Sequence, residues 1–433
     1  MTALSQRLAV GRPLATTTSR LVAPLAALHG AMFLYDLQHP QRFLNADRAE
    51  ERIEVIRGFA AALRSGDTIA YSVGHGIVGD WLPQALLYIL GGQYLVIAAQ
   101  VILALASVLW VREIGLRIGL RESSANAAAL VYALLPHTLV FPHQLAAEAI
   151  FVPLVVLAFR LSVPSLSATG GAALGFATLV RPITVLWPMV AAGMQRAPNA
   201  RRAAFVAWAL APLLAWMTFV VLLATGEFSM GRSGHDLGNN LYYRMQRMAA
   251  ALPEAQRPAV KPEGQTKATL REYLSFVAAH PVAAAAHSAR DVVAIAFKSG
   301  IERVTLDYLD LFPDARKALQ QSDGGWRTSL EQRGALATLT GLLGAQPGLV
   351  LSSALASVLF TLLMALAVYG AAVSLPRREW LLLALFVLYV AATAQVVDAA
   401  QSRHRAPAEF ALCLLAVAGW RALQTRKEKR HVR

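Results

Sequence analysis

The feature that most constrains this fold is an apolar run at residues 84–111, QALLYILGGQYLVIAAQVILALASVLWV, which contains no charged side chain. A helix of about 20 apolar residues spans the hydrocarbon core of a bilayer. Other apolar runs recur along the chain at about 20–36, 125–141, 145–162, 203–224, 348–374, 379–397 and 406–421. Together with 56% hydrophobic and 15% charged residues, this pattern predicts an all-α, polytopic membrane protein with about nine or ten hydrophobic helices.

The basic residues indicate the orientation of the chain in the membrane. The formal charge is +14, but the arginines and lysines lie in short segments beside apolar runs and form no basic stripe with interleaved aromatics, so nucleic-acid binding is not expected. Positively charged short loops stay in the cytoplasm. We therefore expect a bacterial inner-membrane protein with both termini in the cytoplasm and an uncleaved N-terminal tail.

The stretch 168–193 requires a break in the membrane. If it crossed once, the basic segment QRAPNARR and every later short basic loop would lie outside. Pro182 interrupts a continuous helix, and Arg181 would cost about 3 kcal/mol at a lipid-exposed bilayer centre. Two half-helices that meet at Arg181-Pro182 and reverse direction in a protein-lined cavity remove both problems. The sequence thus predicts a half-helix hairpin.

The apolar runs place residues 1–421 in one transmembrane domain, with a basic cytoplasmic tail at 422–433. The larger loops then face the periplasm: loop one at about 37–83, loop two at about 225–347, and a shorter loop at about 395–407.

Amphipathic helices are predicted inside the two large loops. In loop one, the segment DRAEERIEVIRGFAAALR places Ile53, Ile56, Ala60 and Leu63 at helical spacing. Loop two begins polar and Gly-rich and continues as helices at about 267–299, broken at His280-Pro281.

Ionisable side chains that could take part in a reaction gather on the predicted outer face, although they come from distant parts of the chain. Arginine forks bind phosphate through two points, and a carboxylate can deprotonate an attacking hydroxyl, so the mixture suits a reaction on a phosphate-bearing lipid. No glycine-rich nucleotide-phosphate loop occurs. The candidate residues are Asp47, His137, His143, Glu148, Arg181, Arg403, His404 and Arg405.

Four segments in this order resemble motifs of GT-C type integral-membrane glycosyltransferases, the superfamily of protein O-mannosyltransferases and aminoarabinose transferases. They are NADRAEER, PHTLVFPHQLAAEAIF, GFATLVRPITVLWP and SRHRAPAEF, and the likeness extends over about 20–421. Two departures stand out: Asp47 is followed by Arg48 instead of a second acid, and His404 replaces the usual tyrosine.

The resemblance implies an enzyme that moves a sugar from a polyprenyl-phosphate donor to a glycan, lipid or protein of the cell envelope, with inversion at the anomeric carbon. Asp47 would be the general base, and Arg181, Arg403 and Arg405 would hold the donor phosphate. Glu148, His143 and His404 would orient donor or acceptor. This scheme requires no cofactor and assigns no metal ligands. An alternative form of it has a divalent cation held by Asp47 and a histidine.

Structural alternatives remain open for the same residues. Asp47 would suit the first turn of an amphipathic helix, and Glu148 would suit a buried ion pair. Arg181 would cap two half-helices, the late arginines would anchor lipid headgroups, and the histidines would fill a polar hairpin. Two other function classes compete with the transferase: a transporter or flippase for a lipid-linked glycan, and a non-catalytic scaffold of an assembly complex.

Overall fold

The fold is all-α, as predicted. The structure, a computed structural model, describes residues 11–45, 49–75, 79, 81–228, 232–250, 252–254, 257, 267–311, 347–374, 377–394 and 402–431. Within these ranges the regular elements are helices and no β-strand occurs. In chain order the α-helices are α1 (Gly11–Gln38), α2 (Ala49–Ser65), α3 (Thr68–Gly74), α4 (Leu82–Arg117), α5 (Glu122–Ala133), α6 (Pro136–Val140), α7 (Glu148–Ser162), α8 (Ala168–Val180), α9 (Trp187–Met194), α10 (Asn199–Ala215), α11 (Arg232–Ala249), α12 (Leu270–Ala279), α13 (Pro281–Phe297), α14 (Pro347–Ser374), α15 (Arg378–Ala394) and α16 (Glu409–His431).

The chain is a multi-pass membrane protein by the length and composition of its helices. Five described helices are long and apolar enough to cross a bilayer, and a sixth span results if α5 and the helical turn Pro136–His143, which meet at 66°, count as one bent span. The five are Leu21–Gln38 of α1, α4, α10 with its continuation to Thr225, α14, and Arg403–Lys429 at the end of the chain.

Among the described residues, the five or six helices that could cross a bilayer by length and composition are fewer than the nine or ten hydrophobic helices predicted. Within the described residues the remaining apolar runs form shorter helices: α7 has 15 residues, α8 has 13, α9 has 8, and α15, which ends where the described range ends, has 17. The difference arises because prolines and turns divide runs that look continuous by hydropathy, as at Pro136 and Pro182.

The chain reverses direction at the predicted break. Helix α8 ends at Val180, Arg181 has extended backbone angles, and a 3-10 turn at Pro182–Thr184 leads into α9. Gly171 of α8 lies against Phe205 of α10, and Gly175, four residues further along α8, lies against Ala209, four residues further along α10. The two helices therefore run parallel. Two parallel helices in succession require the chain between them to return to the starting level. The turn at Arg181-Pro182 and α9 make this return.

The helix predicted in loop one is present as α2, but its buried face differs from the expected one. Ile53 and Ile56 are buried as predicted, whereas Leu63 is 52% exposed and Ala60 only half-buried. Phe59 and Ala62 complete the buried face instead. Positions 53, 56, 59 and 62 are spaced by three residues, so the buried stripe winds around this short helix and its packed side changes along its length.

Loop two is more helical than the sequence suggests. Its polar, Gly-rich opening forms most of α11, and the predicted break at His280-Pro281 separates α12 from α13. Buried Arg244 joins these helices, since its guanidinium donates to Asp291 at 3.0 Å, Ser288 at 3.2 Å and the Tyr273 hydroxyl at 3.1 Å.

Helices α14 and α16 pack with almost no space between their backbones. A Cβ atom on Gly419 would clash with the carbonyl oxygen of Leu366, and one on Gly370 with that of Leu415. Small residues permit such close approach between membrane helices. Helix α16 also carries Phe410 and Cys413, both fully buried, and it continues through the predicted basic tail as far as His431.

We expect Gly419→Ala to destabilise the protein by about 1–3 kcal/mol, because one methyl group must push the α14 backbone away. The matched control is Gly30→Ala on α1, where no atom lies within 4 Å of the added carbon. Thermal unfolding in detergent measures both variants. Equal midpoints for Gly419→Ala and Gly30→Ala would contradict the close packing.

Candidate functional site

A buried ion pair joins two of the predicted site residues. Glu148 is the first residue of α7 and only 5% exposed, and its Oε1 accepts a hydrogen bond from the Arg181 guanidinium at 2.6 Å. Arg181 reaches it because the break after α8 turns its backbone out of the helix. The pairing predicted as a structural alternative for Glu148 is therefore present.

Two further guanidinium groups act electrostatically on Glu148, those of Arg403 and Arg52. Arg403 lies in the 3-10 helix Ser402–Ala408, and Arg52 lies on α2, where it donates to the Leu145 carbonyl at 3.3 Å. We call Arg52, Arg181, Arg403 and Glu148 the arginine cluster. It brings together all four sequence segments that carry the resemblance. Arg52 was not among the predicted site residues, although its position five residues after Asp47 was a usable signal.

Arg405, predicted to hold donor phosphate, makes its contacts within the protein. Its Nε donates to Glu409 Oε1 at 3.2 Å, and its NH1 donates to the carbonyls of Ile295 and Lys298 at the end of α13. The guanidinium also lies 3.8 Å above the Phe360 ring. Arginine side chains commonly bind the final carbonyls of a helix. Here these contacts attach loop two to the start of the last helix.

Glu409 receives a second donor on the same oxygen. His137 Nδ1 donates to Glu409 Oε1 at 2.8 Å, and both side chains are 1% exposed. The other carboxylate oxygen, Oε2, has no hydrogen-bond partner among the described residues. We call His137, Arg405 and Glu409 the Glu409 cluster. Glu409 was not predicted, although an acid in the last apolar run was a signal for it.

A small cavity separates the two clusters. Glu148 and Glu409 both line it, as do the polar side chains of Ser107, Tyr132 and Thr138. Its volume of about 20 Å³ suits a single water molecule, not a substrate. The Arg181 side chain of the arginine cluster is 28% exposed.

His143, predicted to orient donor or acceptor, lies outside the arginine cluster. Its Nδ1 donates to Asp36 Oδ2 at 2.6 Å, and its Nε2 lies 2.9 Å from His29 Nδ1. The Tyr308 hydroxyl donates to Asp36 Oδ1 at 2.8 Å. All four side chains are buried. Burial raises the pKa of Tyr308 far above its usual range and Asp36 adds to this, so the hydroxyl remains a donor.

The Asp36 contact was missed by the sequence analysis. Asp36 ends the first apolar run, and an acid at that position was readable as a functional or paired group. Its partners were not readable, because His143 and Tyr308 are separated from it by 107 and 272 residues.

The last two predicted site residues are Asp47 and His404. Asp47, the predicted general base, lies outside the described residues; the neighbouring described residues are Asn45 and Ala49. His404 is buried in the 3-10 helix between Arg403 and Arg405.

Metal ligation is the remaining question at this site. The described ranges contain no group of three or more His, Cys, Asp or Glu side chains that could hold a metal ion. The variant reading with a divalent cation on Asp47 falls outside these ranges.

What the described site offers is a set of guanidinium groups around one carboxylate, beside two buried histidine–carboxylate pairs. Comparisons with protein-family models, with curated proteins and with solved structures found no match for this chain.

Proposed function

We propose that this protein is a membrane glycosyltransferase that moves a sugar from a polyprenyl-phosphate donor to a glycan, lipid or protein of the cell envelope, on the periplasmic face of the bacterial inner membrane. The observation that carries the proposal is the arginine cluster. Three guanidinium groups from separate segments converge on one buried carboxylate, Glu148. This is the arrangement expected where a phosphate group has to be held and its developing charge stabilised.

The donor phosphate would bind to the guanidinium groups at their exposed side. Arg181 is held by Glu148, while its side chain remains 28% exposed. Such a pre-set donor adds charge stabilisation without reorganisation during the reaction. Arg403 and Arg52 would complete the phosphate contacts, whereas Arg405 would keep loop two in place through Glu409 and the α13 carbonyls.

The proposed step is a single displacement at the anomeric carbon. The acceptor oxygen forms a bond to that carbon while the bond to the phosphate oxygen breaks, and polyprenyl phosphate leaves with the bonding electrons. The acceptor proton passes to the Asp47 carboxylate. The leaving phosphate gains one negative charge with the bonding electrons, and Arg181, Arg403 and Arg52 would stabilise this charge.

The proposal is tested in a strain that lacks the gene, by mass spectrometry of its envelope glycans and polyprenyl-linked intermediates. We expect the strain to lose one sugar from one glycan and to accumulate the sugar–lipid donor. Complementation with Arg181→Ala should restore about ten- to a hundredfold less product than wild type, because a charge-assisted contact to phosphate is lost. The amount of product formed with Arg181→Lys should lie between that of Arg181→Ala and that of wild type, since lysine keeps the charge but not the two-point geometry.

Arg64→Ala is the matched control for Arg181. Arg64 is exposed on α2, and its Nε donates to the Ala60 carbonyl of the same helix at 3.1 Å. Binding of undecaprenyl phosphate to the purified protein should weaken in Arg181→Ala and not in Arg64→Ala. Full restoration of product by Arg181→Ala would contradict the transferase and favour the flippase, which would instead move labelled lipid across liposomes without an acceptor.

A further inference from the structure

Helix α13 carries polar side chains on its inner side and apolar side chains on its outer side. Ser288 and Asp291 face α11, where the buried guanidinium of Arg244 donates to both. On the opposite side of α13, four residues at helical spacing are exposed and apolar: Val282, Ala286, Ala289 and Val293. We call these four residues the α13 stripe. Its two valines are 81% and 54% exposed. A helix at a water surface has the reverse arrangement, with its charged side outward.

The last turn of α13 lies at a height that the membrane helix α14 defines. Arg405 donates to the Ile295 and Lys298 carbonyls, and its guanidinium lies 3.8 Å from the centre of the Phe360 ring of α14. Phe360 precedes Ser374, at the end of α14, by 14 residues, which correspond to about 21 Å of helix. The last turn of α13 is therefore about 21 Å from the membrane surface at which α14 ends.

Helix α16 gives a similar height independently. Trp420 is 53% exposed and directly precedes Arg421, the position of a residue at a membrane–water interface. Arg405 precedes Trp420 by 15 residues, or about 22 Å. The hydrocarbon core of a bilayer is about 30 Å thick. The end of α13 thus lies about 8–9 Å inside the opposite membrane surface, and any tilt of α14 or α16 places it deeper.

The neighbours of α13 are parts of the membrane domain. The helix packs against α14, α15 and the 3-10 helix Ser402–Ala408. In the half of α14 that precedes Phe360, Leu355 and Leu359 are 63% and 59% exposed. Apolar surface of α13 therefore lies beside apolar surface of a helix that can cross the bilayer. Acyl chains fit such a surface, because they require no hydrogen-bonding partner from it.

We infer that α13 is a membrane-embedded helix, whose stripe contacts the acyl chains of the lipid leaflet in which α14 begins. The helix enters this leaflet without crossing the bilayer, since it has 17 residues and its last turn is held by Arg405. Part of loop two then lies in lipid, whereas the sequence predicts a loop outside the membrane. The Glu409 cluster, which contains Arg405, lies at the same depth below the lipid headgroups. The inference is independent of sugar transfer.

The test measures collisions of nitroxide spin labels with oxygen, which enters hydrocarbon, and with a polar nickel chelate, which does not. The labels are attached to Val293→Cys and Ala289→Cys in the full-length protein, in liposomes of phosphatidylethanolamine and phosphatidylglycerol. The native Cys413 is buried and stays unlabelled. Both stripe positions are exposed, so the substitutions should leave the unfolding midpoint unchanged.

Two further labelled variants provide the references. Leu359→Cys, beside Phe360 on α14, represents lipid, and Glu428→Cys, near the end of α16, represents water. We expect the ratio of oxygen to chelate collisions at both stripe positions to exceed that of Glu428→Cys by at least about tenfold, because hydrocarbon excludes an unpaired polar solute. A ratio like that of Glu428→Cys would place the stripe in water and overturn the inference. Low collision rates with both reagents would also overturn it, because the stripe would then be covered by a second copy or another protein.

Discussion

Replacement of Asp47 by asparagine is expected to lower sugar transfer by about 10²- to 10⁴-fold, the usual contribution of a positioned general base. Asparagine has the same shape as aspartate but cannot accept the proton of the acceptor hydroxyl. The protein should still insert and fold, because no charge leaves the arginine cluster. The measurement is the fraction of glycan that carries the sugar in the complemented deletion strain, at matched protein level.

Glu54→Gln is the matched control for Asp47→Asn, since Glu54 lies on the exposed face of the helix that follows Asp47. It should leave transfer within about twofold of wild type. Loss of the sugar in the deletion strain together with full restoration by Asp47→Asn would remove Asp47 from the mechanism. In that event the transporter and scaffold hypotheses would gain over a base-catalysed transfer.

Removal of the Glu409 carboxylate should have the largest effect on stability. Glu409→Ala leaves the Arg405 guanidinium and the His137 imidazole, whose side chains are 4% and 1% exposed, without their shared acceptor. Loss of one partner of a buried ion pair costs about 3–5 kcal/mol, because the remaining charge stays buried. Thermal unfolding of the purified protein in detergent should show a clearly lower midpoint.

Glu428→Ala provides the comparison, because Glu428 is exposed near the end of the same helix, α16. Its unfolding midpoint should match that of wild type. If Glu409→Ala unfolds at the same temperature as Glu428→Ala, the Glu409 cluster does not stabilise the fold. A double variant with Arg405 replaced by methionine should recover part of the loss, since it also removes the buried charge.

Much of the fold was predictable from hydropathy and proline position. The helical class, the break at Arg181-Pro182 and the break at His280-Pro281 depend on local properties of the chain, and the structure agrees on all three. The buried face of α2 was only half predictable. Leu63 is more apolar than Ala62, yet Ala62 is buried, because the packing surface and not hydrophobicity decides which side of a short helix turns inward.

The site was predictable as a set of residues but not as a set of pairs. Arg181 and Glu148 carry opposite charges on one predicted membrane face, so a contact between them was readable. His143, predicted to orient donor or acceptor, pairs with Asp36, a partner that the sequence did not indicate. Partner choice between distant segments depends on how the helices pack, and a single sequence with its short motifs does not contain that packing.

The buried position of Cys413 has a practical consequence for chemical labelling. Thiol reagents react with exposed thiolates, and a cysteine with no exposed surface in the interior of α16 is inert towards them. Since the chain has no other cysteine, any cysteine introduced at a loop becomes the sole reactive thiol of the otherwise native protein. Membrane-impermeant maleimides applied to intact cells can therefore assign each loop to one side of the bilayer, and fluorophores can be attached to loop two without a cysteine-free background.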